Sequence, residues 1–472
     1  MATLGDIQSL IEDQGIRRVD LLVTDLIGRW QHFSIPASKV DEDLVNRGQG
    51  FDGSSLRGFQ SIDESDMLLR PDLDSARIDP TENVPTLKFI CDVHDPVTGD
   101  RYSRDPRYVA TKAEQHMIDS GIADQAFFGP ELEFFMFDHV QFQMSINQAF
   151  YVVESDEADW NSGRDEDDSN LGYKIPPKQG YSPTAPFDTL SDIRWEMADA
   201  MEAVGMELEV HHHEVATGGQ GEIATRFNTL RTKADETQWY KHIVRNVAKA
   251  HGKSATFMPK PLYGDNGTGM HCHQSLWKDG APLFYEAGRY AELSDTARHY
   301  IGGLLKHGSA LLAFCAPTTN SYKRLVPGFE APIYLAFSQR NRSAAVRIPT
   351  YETSPNSKRI EFRPPDASAN TYLAFSAMLM AGLDGIRNRI EPDDPVDTDI
   401  YELSAEEAAG IPSVPHSLEG SLQALADDHD FLMEGGVFTQ DLIDEYQDFK
   451  LTEARDVFMH PVAAEFFHYY HI

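Results

Sequence analysis

One strongly apolar segment, Gly129 to Phe137, carries two acidic residues and limits how the chain around it can fold. Its aromatic residues and the Gly-Pro at its start are typical of a β-strand. Successive side chains of a strand alternate between faces, so Glu131 and Glu133 are predicted to project from the same face. Two such carboxylates repel each other and resist loss of water, and cations relieve both costs. The pair therefore predicts Arg or Lys partners or metal ions, unless the strand is an exposed edge with a polar face.

The length and composition of the chain limit the class of protein to which it can belong. At 472 residues and 41% hydrophobic content, it can form two domains or one large elaborated domain. It contains no apolar run of about 18 residues that would indicate a membrane helix, and its first residues lack the pattern of a secretory signal. Its three cysteines, Cys91, Cys272 and Cys315, are too widely spaced for a zinc motif or a disulfide framework. We expect a cytoplasmic protein that does not bind membranes.

The net charge of −34 is extreme, and the acidic residues are spread along the whole chain. Nucleic acids and anionic membranes require a basic protein face, so they are not expected as partners. Repulsion among so many carboxylates calls for screening counter-ions. This composition therefore predicts a halophilic protein from a salt-rich cytoplasm.

The segment from Lys323 to Arg363 reverses this charge balance. It contains eight basic residues, Lys323, Arg324, Arg340, Arg342, Arg347, Lys358, Arg359 and Arg363. Guanidinium groups bind phosphate and carboxylate with paired hydrogen bonds, so the segment can serve an anionic small molecule. Structural ion pairs with the acidic remainder of the chain are the alternative.

Periodicity predicts a small mixed unit at residues 1–104 and a larger α+β region at 105–472. Helices are predicted at 4–14, 192–204, 234–250, 296–314 and 370–390. Strands are predicted at 19–25, 30–35, 87–93 and 206–215. The acidic stretch 154–170 is expected to be an exposed loop or a mobile segment.

Two further segments combine acids, imidazoles and glycines. The run from His211 to Glu214 follows a predicted strand, and Glu222 comes after a glycine-rich turn. The segment from Gly264 to His273 places glycines where the backbone can approach a ligand closely. Each pattern alone is weak, because buried histidines and turn glycines are common. Together with the paired strand carboxylates, they point to divalent metal.

These segments occur in an order that is typical of one enzyme family. The motifs are DGSS from residue 52, GPELEFF from 129, HHHEVAT from 211, NGTGMH from 266, NSYKRLVPG from 320, RNRS from 340 and RIEFR from 359. From about residue 15 to its C-terminus, the chain resembles a type I glutamine synthetase of bacteria or archaea. The resemblance implies an α+β fold, with a small β-grasp-like N-terminal domain at 1–104. It also implies a catalytic domain at 105–472, in which helices surround a curved antiparallel sheet.

The resemblance implies a reaction and a set of ligands. The family ligates ammonia to L-glutamate with ATP, through γ-glutamyl phosphate, and serves nitrogen assimilation. Two Mg²⁺ or Mn²⁺ ions are expected, and a third is an open alternative. One ion would be held by Glu133, Glu214 and Glu222, and the other by Glu131, His271 and Glu361. Carboxylates with one imidazole suit these ions better than zinc.

The same resemblance assigns residues to the substrates. Glutamate would be bound by Asn266, Gly267, His271, Arg324 and Arg363. ATP would be bound by Glu209, Phe227, His273, Ser275, Arg342 and Arg347. Catalytic roles fall to Arg342 at the phosphate, to Asp52 as the base that deprotonates ammonium, and to Glu330 on a flap that closes over the intermediate. In the family the equivalent of Asp52 comes from the adjacent subunit of a dodecamer built of two hexameric rings.

Two positions leave questions open. Asn356 stands where the family often has a basic residue near the nucleotide, so Lys358 or Arg359 would serve instead. Tyr401 aligns with the tyrosine that some members modify with AMP. Its acidic surroundings favour an unmodified surface tyrosine, whereas the 154–170 insert resembles the subgroup in which modification occurs. A regulator of the PII type is a further candidate partner.

Three other functions compete with glutamine synthesis. A γ-glutamyl-amine ligase of the same superfamily would use a polyamine or another amine, but the Asp52 loop favours ammonia. A non-catalytic member would be a structural or regulatory oligomer, yet every expected metal ligand has a competent side chain. A plain metal- and nucleotide-binding module would hydrolyse ATP without forming an amide.

Overall fold

The structure is a computed structural model that describes residues 1–60, 65–165, 170–398 and 410–472. Its helices are α1 (Leu4–Asp13), α2 (Glu42–Arg47), α3 (Pro106–Asp119), α4 (Ser191–Ala203), α5 (Leu230–Ala250), α6 (Asp295–Lys306), α7 (Gly308–Cys315), α8 (Ser321–Arg324), α9 (Thr371–Asn388), α10 (Leu418–Asp427), α11 (Asp430–Met433), α12 (Gln440–Met459) and α13 (Ala463–Tyr469). Its strands are β1 (Arg18–Thr24), β2 (Trp30–Pro36), β3 (Gln49–Asp52), β4 (Asp66–Pro71), β5 (Arg77–Ile78), β6 (Thr86–His94), β7 (Gln125–Phe137), β8 (His139–Ser145), β9 (Gln148–Glu154), β10 (Leu208–His213), β11 (Gln220–Thr225), β12 (Asn228–Thr229), β13 (Ser254–Thr256), β14 (Met270–Lys278), β15 (Ala281–Pro282), β16 (Tyr334–Gln339), β17 (Ala344–Ile348) and β18 (Ile360–Phe362).

The N-terminal part is built on a mixed sheet with strand order β2-β1-β6-β4-β3, and β5 also pairs with β6. Strands β1 and β6 run parallel, whereas β1 and β2 form an antiparallel pair around Gly28, whose φ is 86°. The sheet has its own apolar core, which includes Val19, Leu21 and Phe89. This part therefore packs around a core separate from that of the larger sheet.

The larger part is built on a sheet with strand order β10-β11-β7-β14-β18-β17-β16. Its pairs are antiparallel except β16 with β17. The buried helix α9 packs against the sheet, where Phe375 stacks on Phe128 of β7 with ring centres 4.9 Å apart. With one face covered by helices, the sheet directs its other face toward a cleft.

Several sequence predictions are confirmed. The segment from Gly129 to Phe137 lies within β7, and α1, α4, α5 and α9 match four predicted helices within a few residues. The α+β class, with a small N-terminal sheet and a large sheet flanked by helices, is also confirmed. The helix predicted at 296–314 is instead broken into α6 and α7 at His307. The ring nitrogens of this histidine lie 2.9 Å from Asp384 Oδ2 and 2.7 Å from Asp428 Oδ2.

The prediction of an exposed or mobile loop at 154–170 is wrong for several residues of its first half. Ser155, Glu157 and Asn161 are buried. Glu157 Oε1 lies 2.7 Å from Nε2 of the buried His213, and its Oε2 accepts a 2.6 Å hydrogen bond from Thr189 Oγ1. Acidic composition suggested exposure, but a buried acid with a histidine partner was not visible in the pattern.

A hairpin that the sequence analysis missed extends β7 outward. Strands β8 and β9 pair along their whole length, and every residue of β8 is exposed, including Phe142 and Met144. The last helix, α13, exposes Phe466 and Phe467 in the same way. Exposed apolar groups of this extent are typical of protein contact surfaces. Across the described ranges, no helix combines the length and apolar character needed to cross a bilayer.

Candidate active site

The register of the large sheet brings the predicted acids and imidazoles onto one face. Glu131 of β7 lies directly opposite His271 of β14, and Glu133 lies opposite Glu222 of β11. His212 of β10 in turn lies opposite Glu222. Side chains that face each other across neighbouring strands project from the same side of a sheet. The predicted common face of Glu131 and Glu133 is thus part of a row that crosses four strands.

The row continues on the other side of β14. His273 lies opposite Glu361 of β18, and Arg347 of β17 lies opposite Glu361 as well. Arg347 Nη1 donates a hydrogen bond to Glu361 Oε2, and Arg363 Nη1 donates one of 2.5 Å to Glu361 Oε1. These arginines therefore form the ion pairs of the alternative prediction, and they also line the cleft, while binding of an anionic molecule by the basic segment stays a prediction.

A first candidate metal cluster surrounds Glu131. Ligand atoms of Glu131, His273 and Glu361 all lie within 4.8 Å of one another. His271 is also close, with Nδ1 3.4 Å from Glu131 Oε2 and 3.7 Å from Glu361 Oε1. The structure thus brings together the set expected from the resemblance (Glu131, His271 and Glu361), and it adds a second imidazole.

A second cluster joins His212, Glu214 and Glu222, whose ligand atoms also lie within 4.8 Å of one another. Glu133 stands beside Glu222 in the register, and its Oε2 accepts hydrogen bonds from Gly269 N (2.9 Å) and Gln220 Nε2 (3.0 Å). The expected set of Glu133, Glu214 and Glu222 therefore shares one region. His212 was not assigned a role from the sequence, although its place in the β10–β11 hairpin opposite Glu222 could have indicated one.

The three consecutive histidines have different environments because a strand alternates its faces. His212 faces the cleft. His213 is buried on the other side; burial lowers the pKa of its imidazole, but the hydrogen bond and charge of Glu157, together with hydrogen bonds to backbone carbonyls, raise it overall. The ring of His211 packs edge-on against Trp195, with centres 4.5 Å apart. Only the middle histidine therefore belongs to the row that includes Glu222.

The electrostatics of the row favour binding of a cation. Burial, with repulsion from Glu214, raises the pKa of Glu133 to about 8, and burial raises that of Glu214 to about 7. Burial and the charges of Glu131, Glu214 and Glu133 raise the pKa of Glu222 well above its usual range. Burial opposes ionisation of Glu131 as well, but the neighbouring imidazoles hold its pKa well below normal. Carboxylates that resist ionisation in each other's company are those that a divalent cation would stabilise.

Two glycines allow Arg324 to approach the row closely. A Cβ atom at Gly269 would lie 2.8 Å from Arg324 Nη2, and one at Gly267 would lie 2.4 Å from the carbonyl oxygen of Pro259. Arg324 is buried, and its Nη1 donates a 2.8 Å hydrogen bond to the carbonyl of Pro364. The glycine-rich segment thus makes room for a fixed guanidinium group next to the imidazole of His271.

One cleft of about 920 Å³ contains nearly all of the predicted site residues. Its lining includes Glu131, Glu133, Glu209, Glu214, Glu222, Phe227, Asn266, Gly267, His271, His273, Ser275, Arg324, Glu330, Arg342, Arg347, Glu361 and Arg363. Asp52 is not part of this lining, and Tyr401 lies outside the described residues. A cavity of this size matches those that hold substrate-sized ligands.

The end of the cleft at Phe227 differs in character from the row of carboxylates and imidazoles. Phe227 is 47% exposed, so part of its side chain is accessible to an aromatic ligand. Arg359 donates hydrogen bonds to Tyr351 Oη (2.8 Å) and to His273 Nδ1 (3.3 Å), whereas Lys358 Nζ turns to the carbonyl of Ala291. Of the two cations considered as substitutes for a basic residue at Asn356, Arg359 is the one directed toward His273.

Asp52 lies at the end of β3 in the N-terminal sheet. Its Oδ1 accepts hydrogen bonds from the N–H (2.9 Å) and hydroxyl (2.6 Å) of Ser54, and Ser55 Oγ donates to Oδ2. These bonds, that of the Ser54 hydroxyl foremost, lower the pKa of the exposed Asp52 carboxyl. The side chain is therefore fixed and ionised, away from the cleft of its own chain.

Comparison with known families agrees with this arrangement. Residues 103–469 match the model of the glutamine synthetase catalytic domain, and residues 15–96 match that of the glutamine synthetase beta-Grasp domain. The chain belongs to the glutamine synthetase family. The resemblance to type I glutamine synthetases is thereby confirmed.

Individual proteins resemble the chain over 94% or more of its length. A glutamine synthetase of Mycolicibacterium smegmatis is 54% identical, covering 100% of this chain and 99% of the relative. One of Streptomyces coelicolor is 56% identical over 94% of each chain. Among solved structures, that of the Plasmodium falciparum glutamine synthetase superposes with a TM-score of 0.90 at 29% identity, covering 100% of this chain and 99% of the other. The ADP complex of GmaS has a TM-score of 0.81 at 27% identity, with 99% and 100% coverage.

Proposed function

We propose that this protein synthesises L-glutamine from L-glutamate and ammonia with ATP, through γ-glutamyl phosphate. The observation that carries the proposal is the single cleft in which two carboxylate and imidazole clusters lie beside buried arginines. Full-length relatives named glutamine synthetase at 54% and 56% identity support the same activity. Nitrogen assimilation in the cytoplasm is the corresponding cellular role.

The donor set of the cleft suits two divalent ions. We assign Glu133, Glu214 and Glu222 to one ion and Glu131, His271 and Glu361 to the other, with Mg²⁺ or Mn²⁺ as the metal and a third ion as an alternative. Sets of oxygen ligands with one imidazole fit these ions. The raised pKa values of Glu133 and Glu214 show that the ionised carboxylates lack a stabilising positive charge, which a divalent ion would supply. When bound, the ions would neutralise phosphate charge and polarise the phosphoryl group.

The buried arginines suit the acidic substrate. Arg324 and Arg363 are each held by hydrogen bonds to neighbouring carbonyl or carboxylate groups, so their positions are fixed before glutamate arrives. We propose that they bind its carboxylates, with Asn266, Gly267 and His271 near the amino-acid backbone. Fixed guanidinium groups bind a carboxylate without a large ordering cost.

The other end of the cleft suits ATP. We assign Phe227 to the adenine ring, and Glu209, His273, Ser275, Arg342 and Arg347 to the ribose and phosphates. The exposed ring of Phe227 and the nearby arginines support this direction of binding. Arg342 and Arg347 would stabilise charge on the transferring phosphoryl group.

Ammonium must lose a proton before it attacks the acyl phosphate. We propose that Asp52 takes this proton, because its carboxylate is ionised at neutral pH and hydrogen bonds to Ser54 and Ser55 hold it in position. Asp52 would reach the cleft of a neighbouring subunit, in a homo-oligomer of two hexameric rings. Its position outside its own cleft and the exposed apolar groups of β8 and α13 support this assembly. Glu330 would cover the intermediate and exclude water.

The activity is tested by glutamine formation from glutamate, ATP and ammonium with Mg²⁺ or Mn²⁺. Putrescine in place of ammonium distinguishes the amine ligase, and ATP hydrolysis without glutamine would indicate the simpler nucleotide-binding module. A protein with no turnover and no metal binding would be the non-catalytic oligomer. Glutamine formation that requires divalent metal is the expected result.

The shared active site is tested with two inactive variants expressed together. Asp52→Ala leaves the cleft intact but removes the base, whereas Glu361→Gln leaves Asp52 intact but damages the cleft. In a mixed oligomer, an intact cleft can meet the intact Asp52 of a neighbour, so glutamine formation should return. Mixed oligomers that stay inactive would place Asp52 outside the site.

Regulation is a separate question. Tyr401 as a site of AMP attachment and a PII-type protein as a regulator stay predictions from the resemblance. Treatment of the purified protein with phosphodiesterase, followed by mass measurement of the peptide that contains Tyr401, would detect the modification.

A further inference from the structure

The loop that carries Glu330 is held by two lysines from other segments. The neighbouring Phe329 has Nζ of Lys178 4.3 Å and Nζ of Lys260 3.9 Å from the centre of its ring. Lys178 Nζ also donates a 3.0 Å hydrogen bond to the carbonyl of Gly328. Ammonium groups at this distance over an aromatic ring are attracted by its quadrupole. Three contacts thus fix the two residues that precede Glu330.

Both lysines are anchored on one buried residue, Asp265. Its Oδ1 accepts hydrogen bonds from the backbone N–H of Lys178 (3.0 Å) and of Asn266 (2.9 Å). Its Oδ2 accepts a 2.7 Å bond from Thr217 N, and its carbonyl accepts one from Lys260 Nζ. Since Asp265 is only 2% exposed, the lysines are tied to the rigid wall of the cleft and differ from freely moving surface side chains.

The backbone at both ends of this contact is unusual. Lys178 has a φ of 62° and Glu330 a φ of 57°, a left-handed conformation that non-glycine residues rarely adopt. Such residues persist only where their surroundings determine the conformation, and they are concentrated at ligand clamps and switches. We call the contacts of Lys178 and Lys260 with Phe329 the clamp. Lys178 of the clamp and Glu330, which follows Phe329, thus both carry conformational strain.

We propose that Lys178 and Lys260 are positioning residues that hold Phe329 so that Glu330 stays over the cleft. The proposal rests on the proposed function, in which a γ-glutamyl phosphate must be kept from water. Without the contacts of Lys178 and Lys260 with Phe329, the loop moves away from the cleft, and water attacks the acyl carbon of γ-glutamyl phosphate. The products are then glutamate and phosphate, and one ATP is spent without glutamine formation.

The consequence is a loss of coupling with little change in substrate binding. Removal of these contacts shifts the closed-to-open ratio of the loop by about 5- to 30-fold. Neither Lys178 nor Phe329 is among the residues assigned to ATP or metal. The ratio of phosphate released to glutamine formed should therefore rise clearly above one, while KM for ATP changes little.

Matched variants separate the clamp from general damage. Lys178→Met and Phe329→Leu keep the size of the side chain but remove the cation or the aromatic face. Lys178→Arg and Phe329→Tyr keep those properties and serve as controls. The first pair should raise the phosphate-to-glutamine ratio, and the second pair should keep it near that of the wild type. A ratio near one in both Lys178→Met and Phe329→Leu would overturn the proposal.

A second measurement does not depend on catalysis. Amide hydrogen exchange of residues 326–331 in the free enzyme should be faster in Lys178→Met and Phe329→Leu than in the wild type. Exchange as slow as in the wild type would overturn the clamp. A wild-type protein that forms no glutamine would contradict the proposed function alone, because the exchange measurement would still report on the loop.

Discussion

The carboxylates of the cleft are expected to set the pH dependence of metal binding. Without metal, burial raises the pKa of Glu133 to about 8 and that of Glu214 to about 7. At pH 7 these groups hold protons that a divalent ion must displace. We therefore expect binding of Mg²⁺ or Mn²⁺ to release on the order of one to two protons. Apparent affinity should increase as the pH rises from about 6 to 9, because the ionised groups bind metal without losing a proton.

Titration calorimetry in buffers of different ionisation heat measures this proton release. Glu133→Gln cannot ionise, so it should release about one proton fewer than the wild type at pH 7. Equal heats in all buffers would contradict the raised pKa values. The same result would also remove the electrostatic argument for a cation at this row.

A single methyl group tests the fixed position of Arg324. In Gly269→Ala, the new Cβ would lie 2.8 Å from Arg324 Nη2 and 3.2 Å from His271 Nε2, so the guanidinium must move. KM for glutamate should rise by roughly tenfold or more, because small displacements of a positioning group are costly. KM for ATP should change little. Gly129→Ala is the matched control, since its Cβ would meet Phe227 and His273 at ordinary distances, and its KM for glutamate should not change.

Among the strands, periodicity alone was sufficient to place two of the six expected metal ligands. The alternation in β7 correctly placed Glu131 and Glu133 on one face. It could not show that β11 would pair with β7 so that Glu222 faces Glu133, because register depends on which strands meet. The grouping of Glu222 with Glu133 came instead from the family resemblance that the motifs carry. His212 was missed for the same reason, as its role appears only when the β10–β11 hairpin is formed.

Other elements show where local patterns fail. The sequence 296–314 is apolar enough for one helix, but it is interrupted at His307, whose φ of −90° and ψ of 4° depart from the α-helix and whose ring contacts Asp384 and Asp428 from distant segments. The acidic stretch after β9 was assigned to solvent, yet Glu157 is buried against His213. Both positions make a long-range polar contact, which no sequence periodicity records.

The contact of α6 with α9 predicts a sensitive glycine. A Cβ at Gly303 would lie 2.0 Å from the carbonyl oxygen of Ala381 in the facing helix. Although alanine is the better helix former, by about 1 kcal/mol, this clash with backbone forces the helices apart. Gly303→Ala should lower the free energy of unfolding by about 1–3 kcal/mol. Chemical denaturation followed by tryptophan fluorescence measures the change.

The control for this prediction is another helical glycine. Gly5 in α1 has only Thr3 Oγ1 near its virtual Cβ, at 3.7 Å. Gly5→Ala should therefore leave stability unchanged or raise it by up to about 1 kcal/mol. Gly303→Ala with the stability of the wild type would mean that α6 and α9 pack less closely than described.

For the whole molecule, the two parts of the chain are joined by buried charges. Arg107 at the start of α3 donates hydrogen bonds to Asp72 (2.6 Å) and Asp92 (2.8 Å) of the N-terminal part and to Asp235 (2.9 and 3.0 Å) of the large part. Its guanidinium is nearly fully buried, so dissolved salt screens these contacts little. The response of the protein to salt is therefore expected to come from its exposed acids.

With a net charge of −34, the stability of the folded protein is expected to depend strongly on salt concentration. Repulsion among exposed carboxylates favours the expanded unfolded chain, and its range falls from about 10 Å at 0.1 M salt to about 3 Å at 1 M. Adaptation to a salt-rich cytoplasm stays a prediction, and the unfolding temperature tests it. The temperature should rise as KCl increases from low to molar concentration, and choline chloride should act equally if screening is the cause. A midpoint that stays flat or falls with KCl would show that the acidic surface does not need counter-ions to remain folded.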